Sequence, residues 1–153
     1  MSLDFDSARL ANPHFTEEHD AWRGALRRFI DTEIMPYADD WDEAGAIPSE
    51  LWPKAAELGL LGLGYPEQFG GTSADSWHSW IVNEELSRVG AGGISASLMV
   101  HGIGLPPVIN WGPEWMQAEV APPVLSGEKW ISLGITEPGG GSDVANLSTT
   151  AVR

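Results

Sequence analysis

The spacing of apolar residues changes near Lys129, and this change constrains the fold of the chain more than any other feature. Before it, apolar side chains recur at three- and four-residue intervals, as at Trp22, Leu26 and Ile30, which indicates amphipathic helices. Alternation with a period of two, which is typical of a half-buried strand, occurs only after it. We therefore predict that residues 16 to about 126 are helical and that β structure begins beyond Lys129.

Start and stop signals divide the helical part into segments. Thr16 is expected to cap the first helix, because its hydroxyl can accept a hydrogen bond from the backbone of the first turn. Pro36 lacks an N–H and must end or kink that helix. The glycine-rich stretch 60–71 is expected to be a loop. Further helices are predicted at 37–44, 48–58, 75–89, 94–111 and 114–125. Pro106-Pro107 should start, bend or interrupt the helix at 94–111, and Pro122-Pro123 should break the helix at 114–125.

Composition limits the kinds of site and partner that the chain can have. A chain of 153 residues forms about one domain with a sizeable core. The absence of cysteine excludes disulfides and thiolate metal ligands. A net charge of −14 argues against nucleic acid or an anionic membrane as partner. We also predict no metal site, because the four histidines are dispersed without paired ligand spacing: His14, His19, His78 and His101.

Hydropathy and the first residues bear on where the protein resides. We expect no apolar stretch of the sequence to span a membrane, since a spanning helix needs about 20 apolar residues. The chain does not open with a signal peptide. We therefore predict a cytoplasmic protein without a membrane span.

A polar, glycine-rich run, residues 136–143 (TEPGGGSD), follows the short apolar segment 130–135. Pro138 stops any helix, and the three glycines allow positive φ and close approach of the backbone to a ligand. The hydroxyls of Thr136 and Ser142 bracket the run and can donate or accept hydrogen bonds. Such a loop suits an anionic, planar, polar-edged cofactor. The alternative is a plain turn between two strands, since the run fits neither a Walker pattern nor a dinucleotide fingerprint.

The β pattern at the end of the chain needs further strands, because an isolated pair of strands is marginal in water. We interpret residues 1–128 as a helical domain and residues 129–153 as the beginning of a second, β domain whose remainder is missing. The alternative is a terminal hairpin that covers the helices.

Several short motifs, taken in order, resemble the N-terminal part of acyl-CoA dehydrogenases. The most specific are residues 65–71 (YPEQFGG) and residues 135–144 (ITEPGGGSDV). The resemblance covers essentially the whole chain from about Phe15. The other matching stretches are 15–18, 29–36, 48–62, 84–88, 127–128 and 149–151.

The resemblance implies an all-helical N-terminal domain, a central β-barrel-like domain and a C-terminal four-helix bundle. Members of this family bind FAD and oxidise acyl-CoA thioesters to trans-2-enoyl-CoA in fatty acid or amino acid catabolism. A carboxylate base removes the α-proton while the β-hydrogen leaves as hydride to the flavin. Electrons then usually pass to an electron-transfer flavoprotein, and the full-length protein is expected to be a dimer or tetramer.

Carried over residue by residue, the resemblance assigns Ile135 and Thr136 to the pyrimidine edge of the flavin and Leu133 to an approach to the same ring. Gly141 and Ser142 are assigned to the FAD pyrophosphate and to the pantetheine of the acyl-CoA substrate. No catalytic residue is expected in this chain, because the family's base lies in the part that is missing. The 153-residue chain alone is therefore expected to be inactive.

Three polar residues outside the loop are further candidates for a functional role. Glu84 and Glu85 are expected on a solvated helix surface, unless one turns inward to bond a neighbour, and neither matches the family's base. His101 either touches substrate or packs in the core. Two other functions stay open: an acyl-CoA oxidase or flavin monooxygenase of the same superfamily, and a non-enzymatic helical interaction module with exposed apolar faces.

Overall fold

The computed structural model of the chain describes residues 12–152. Residues 1–11 of the predicted helical domain and Arg153 of the predicted β segment lie outside them. Within the described part, the helices are α1 (Glu17–Phe29), α2 (Ala38–Ala44), α3 (Leu51–Glu57), α4 (Ser76–Ser87), α5 (Gly92–Leu98), α6 (His101–Trp111) and α7 (Glu114–Leu125). The predicted helical domain is confirmed.

The first helix begins and ends for local reasons. At its start, the Thr16 N–H donates to His19 Nδ1 at 3.0 Å, which satisfies a backbone donor that has no partner within the helix. After Phe29 the chain continues as one π-helical turn, Ile30–Ile34, and a 3-10 turn, Met35–Tyr37, before α2. Pro36 lies in that 3-10 turn, so the predicted interruption is confirmed as a change of helix type at a residue without an N–H.

The main core lies between α1, α4 and α5. Leu26, Ile30, Ile81 and Leu98 are fully buried there. Burying a side chain of this size contributes about 1.5–3 kcal/mol, so these four are a large part of what holds α4 and α5 against α1. The apolar stripe that periodicity indicated on the first helix is the face that packs into this core.

A second, smaller cluster joins α6 and α7 to the loop before α4. Its buried members are Phe69, Leu105, Ala121, Val124 and Leu125. Ile131, from the segment after α7, packs against this cluster. The end of the helical domain and the start of the glycine-rich run are therefore joined by one apolar contact surface.

The predicted helix at 94–111 is two helices, which corrects the sequence-based boundary. α5 ends at Leu98 and α6 begins at His101, while Pro106 and Pro107 lie inside α6. By length and mean hydropathy, Gly92–Trp111 is nonetheless a candidate membrane span, contrary to the prediction that no stretch would qualify. Such a candidate is weak evidence here, because the stretch is divided and contributes Leu98 to the buried core.

The β structure predicted beyond Lys129 does not form in the described residues. Residues 12–152 contain no strand and only two isolated bridges, Leu63 with Thr72 and Glu137 with Gly140. A strand needs a neighbour to pair its backbone N–H and C=O groups, and no backbone group among the described residues forms a hydrogen bond with the backbone of 130–135. The expectation of a first strand therefore stays unconfirmed.

Candidate functional site

The segment that leads into the glycine-rich run is fixed to the helical domain at two points. The indole of Trp130 lies against that of Trp52 on α3, with ring centroids 5.4 Å apart. The next residue, Ile131, packs onto Gly104 of α6, where a Cβ would lie 3.1 Å from Ile131 Cγ1. These contacts determine where the following residues emerge from the domain.

All five residues predicted to bind cofactor lie in the exposed stretch after Ile131. Leu133 and Ile135 are 43% and 37% exposed, although both are large and apolar. Thr136, Gly141 and Ser142 are exposed as well. Within residues 12–152, the structure gives no hydrogen-bond partner to any of their five backbone N–H groups. The stretch therefore presents apolar side chains and unused donors side by side.

The three glycines leave one side of the loop open. Glu137 and Gly140 close a tight turn, in which each N–H donates to the other's carbonyl at 2.9 and 3.1 Å. A Cβ added at any of the three glycines would meet no atom within 4 Å. None of them takes positive φ, so the expected need for a left-handed backbone is not observed. Because the three glycines have no side chains, the loop backbone stays open to a ligand on that side.

Glu137 closes the same loop from inside, a role that the sequence analysis missed. Its carboxylate accepts hydrogen bonds from the Ser148 N–H at 2.9 Å, the Ser148 hydroxyl at 2.7 Å and the Thr149 N–H at 2.7 Å. Hydrogen bonds from Thr149 and Ser148 lower the pKa of Glu137 to about 2 from its ordinary value of 4.5. The sequence signal for this contact was the pair of hydroxyl residues, Ser148 and Thr149, that follows the glycine-rich run.

The side chain of Glu85 turns inward, which the sequence analysis allowed for either Glu84 or Glu85. It is fully buried on α4 and accepts hydrogen bonds from Arg23 and Arg27, both on α1, at 2.8 to 2.9 Å. Arg88 adds a weaker contact at 3.3 Å. Glu84, its neighbour, pairs with Arg23 at 2.6 Å. The cluster therefore joins α1 to α4 through buried charges.

Two of the four histidines meet in space, although their sequence spacing gave no sign of it. His19 Nε2 and His78 Nδ1 lie 3.1 and 2.8 Å from the carboxylate of Asp75, and the three ligand atoms lie within 4.8 Å of one another. The Thr16 N–H donates to the other ring nitrogen of His19, so Nε2 carries the proton and donates to Asp75. The three residues form a hydrogen-bonded contact between α1 and the start of α4, and their ligand atoms are close enough together to hold a metal ion, which the sequence spacing did not indicate.

His101 packs in the core, which was one of its two expected roles. It is 6% exposed, and burial lowers its pKa below the ordinary value of 6.5. The hydroxyl of Tyr65 donates to the His101 carbonyl at 3.3 Å. Both residues border a cavity of about 430 Å³ between α4 and α6.

A groove of about 480 Å³ is bordered by Ser132, the residue that precedes the first predicted cofactor residue in the chain. It lies between α5 and the segment 130–132, and most of its surface is apolar. Its lining residues are Ile47, Trp52, Ala96, Ser97, Val100, Trp130 and Ser132. An apolar chain could therefore lie next to the exposed donors of the loop.

Comparisons with known proteins identify the family of the chain. The sequence profile of the acyl-CoA dehydrogenase N-terminal domain matches residues 16–128. The rat mitochondrial long-chain specific acyl-CoA dehydrogenase is 34% identical over 139 residues, which cover 91% of this chain and 32% of that protein.

Solved structures are similar as well. The crystal structure of acyl-CoA dehydrogenase from Geobacillus kaustophilus has a TM-score of 0.81 and 36% identity, over 94% of this chain and 37% of the other. That of the Bacillus anthracis acyl-CoA dehydrogenase complexed with FAD has a TM-score of 0.77 and 30% identity, over 91% of this chain and 24% of the other.

This chain spans about a third or less of the length of these relatives. The profile match extends over most of its residues and begins at the residue that starts the helical domain, Thr16. The chain belongs to the acyl-CoA dehydrogenase family, and residues 16–128 are its N-terminal domain.

Proposed function

We propose that the chain is the N-terminal part of a flavin-dependent acyl-CoA dehydrogenase that oxidises acyl-CoA to trans-2-enoyl-CoA. The observation that carries the proposal is the exposed stretch from Leu133 to Ser142, which combines unused backbone donors with apolar side chains. An isoalloxazine ring has an apolar face and a polar edge, so this combination fits it. The division into a helical domain of residues 1–128 and a β domain from residue 129 belongs to the same proposal.

FAD is the cofactor that these residues fit. The Ile135 N–H, together with the Thr136 N–H and hydroxyl, would hold the pyrimidine edge, and Leu133 would contact the ring. Gly141 and Ser142 would hold the pyrophosphate, where N–H groups without side-chain obstruction suit anionic oxygens. Ser142 would also contact the pantetheine of the substrate. The related Bacillus anthracis enzyme, solved with FAD, supports the choice of cofactor.

The chemistry is divided between this chain and the rest of the protein. Bound FAD would supply the acceptor for the β-hydrogen, which leaves as hydride. The donors at Ile135 and Thr136 favour negative charge on the ring edge that they contact. The groove beside Trp130 would hold part of the acyl chain away from water. The catalytic carboxylate is assigned to the remainder of the protein, so the 153-residue chain alone is proposed to be inactive.

The partners follow from the same proposal. The substrate class is acyl-CoA, and an electron-transfer flavoprotein is the proposed electron acceptor. The full-length protein is proposed to form a homodimer or homotetramer in the cytoplasm.

The role of Thr136 can be tested by the Thr136→Val substitution in the full-length protein. The variant keeps the β-branched shape and loses a hydrogen bond to a ring that becomes charged, which is worth about 1.5–3 kcal/mol. For a two-electron couple this corresponds to a fall in the flavin reduction potential of about 30–65 mV. Thr136→Ser keeps the hydroxyl and is the matched control. An unchanged potential in Thr136→Val would show that the hydroxyl does not contact the flavin.

A further inference from the structure

We propose that Glu137 is a positioning residue for the cofactor: its carboxylate holds the loop 137–149 closed, so that the N–H groups of Gly141 and Ser142 stay directed to one ligand. The inference rests on the proposed function, since it names what that FAD site needs from this chain. Glu137 itself would not contact the cofactor.

The geometry of the carboxylate carries the inference. One side chain accepts from three donors on two consecutive residues, 11 and 12 positions along the chain. The backbone of Glu137 also closes the turn with Gly140. One residue therefore fixes both ends of the polar loop. Gly141 and Ser142 lie between the two fixed ends, and nothing else among the described residues bonds their N–H groups.

The charge of the carboxylate explains why an acid can stand beside an anion site. An unpaired carboxylate in this loop would repel a pyrophosphate. The Glu137 carboxylate is paired, because it accepts hydrogen bonds from three donors. Hydrogen bonds to a charged group are about twice as strong as those between neutral groups. The low pKa of Glu137, about 2, keeps these bonds formed throughout the neutral range. The acid stabilises the loop while its charge is directed inward, toward Ser148 and Thr149.

Neither conservative replacement reproduces this arrangement. Glutamine has one acceptor oxygen, and its amide N–H₂ would face backbone N–H donors, which cannot accept. Aspartate keeps both oxygens but is one methylene shorter, so it cannot reach Ser148 and Thr149 from the same backbone position. Glu137→Gln and Glu137→Asp therefore separate the effect of charge from that of reach, and both should open the loop.

The closed loop can be tested on the 153-residue chain without any ligand. Backbone amide hydrogen exchange of Ser148 and Thr149 should be slower than in an unstructured peptide, and Glu137→Gln should return both amides to the unstructured rate. Glu128→Gln, which removes an exposed acid just before the segment, is the control and should change neither rate. Equal exchange in the wild-type chain and in Glu137→Gln would overturn the inference.

The consequence for the cofactor is tested on the full-length protein. Glu137→Gln and Glu137→Asp should raise the dissociation constant for FAD about tenfold, which corresponds to a binding-competent loop about one tenth of the time. The helical circular dichroism and the unfolding midpoint of the domain should stay unchanged, which a general folding defect would not allow. Wild-type affinity in both variants, with fast exchange at Ser148, would overturn the positioning role. A wild-type protein that binds no FAD would instead contradict the proposed function. The hydrogen-exchange experiment would still show whether Glu137 holds the loop closed, because it uses no ligand.

Discussion

Ile131 lies against Gly104 so closely that a Cβ at residue 104 would be 3.1 Å from Ile131 Cγ1. Gly104 is buried on α6, and Ile131 is the last residue before the exposed stretch that carries the proposed cofactor residues. Leu105, next to Gly104, belongs to the apolar cluster that α6 shares with α7. The placement of the site therefore depends on a close helix-to-segment contact that only a small residue allows.

The Gly104→Val substitution should separate this contact from helix propensity. A valine at this position overpacks against Ile131, and overpacking typically costs about 1–3 kcal/mol. Gly102→Val on the same helix is the matched control, because a Cβ there meets nothing within 4 Å and glycine is itself a poor helix former. Urea unfolding should show a loss of stability in Gly104→Val only. Equal stability of the two variants would contradict the packing assigned to Ile131.

Much of the fold could be predicted from the sequence, because helices carry local signals. The start at Thr16, the interruption at Pro36 and the α7 boundaries, Glu114–Leu125, agree with the structure. The predicted break at Pro122-Pro123 was wrong, because both prolines lie inside a continuous α7. Capping groups, prolines and apolar periodicity act over a few residues, so a single sequence contains them.

The features that were missed depend on partners distant in the chain. The break between α5 and α6 has no glycine or proline at Met99 or Val100 to signal it. The contact between His19 and Asp75 joins residues 56 apart. The cofactor roles of the exposed loop residues stay a prediction that depends on the resemblance to a family, since glycines and hydroxyls in a row indicate a turn as readily as a binding loop.

Loss of the buried carboxylate should destabilise the domain strongly. Glu85→Gln removes the charge that Arg23 and Arg27 share, and breaking a buried ion pair costs about 3–5 kcal/mol. We expect the lower end, about 3 kcal/mol, because Arg27 is 27% exposed and can regain water. Glu119→Gln, an exposed acid on α7, should stay within about 0.5 kcal/mol. A thermal or urea midpoint that is the same for both variants would contradict the assigned role.

The difference between wild type and Glu85→Gln should also depend on pH. Burial raises the pKa of Glu85, but hydrogen bonds from Arg27 and Arg23 lower it more, so it lies below its ordinary value of 4.5. A depressed carboxyl pKa stabilises the fold fully above about pH 4.5 and loses that contribution as the pH falls through the folded value. Urea unfolding at pH 7, 5, 4 and 3 should therefore show the two proteins converging in acid. A difference that is constant over this range would mean that folding does not lower the pKa of Glu85.

The 153-residue chain alone should not retain FAD. Binding must overcome several kcal/mol of lost rigid-body freedom, and hydrogen bonds from one exposed loop contribute only about 1 kcal/mol each. Gel filtration after incubation with FAD should give a colourless protein that tends to self-associate, since Trp111 and Trp115 are 81% and 64% exposed. A stoichiometric yellow complex would contradict the proposal that the site needs further residues.

The most direct test is made on the protein that carries these residues together with the sequence that follows them in its reading frame. Its visible spectrum should be that of bound flavin, and anaerobic addition of a series of acyl-CoA thioesters should bleach it with formation of trans-2-enoyl-CoA. Thr136→Val should retain the bleaching with a lowered potential. A protein that purifies without flavin, or whose flavin no acyl-CoA reduces, would contradict the account.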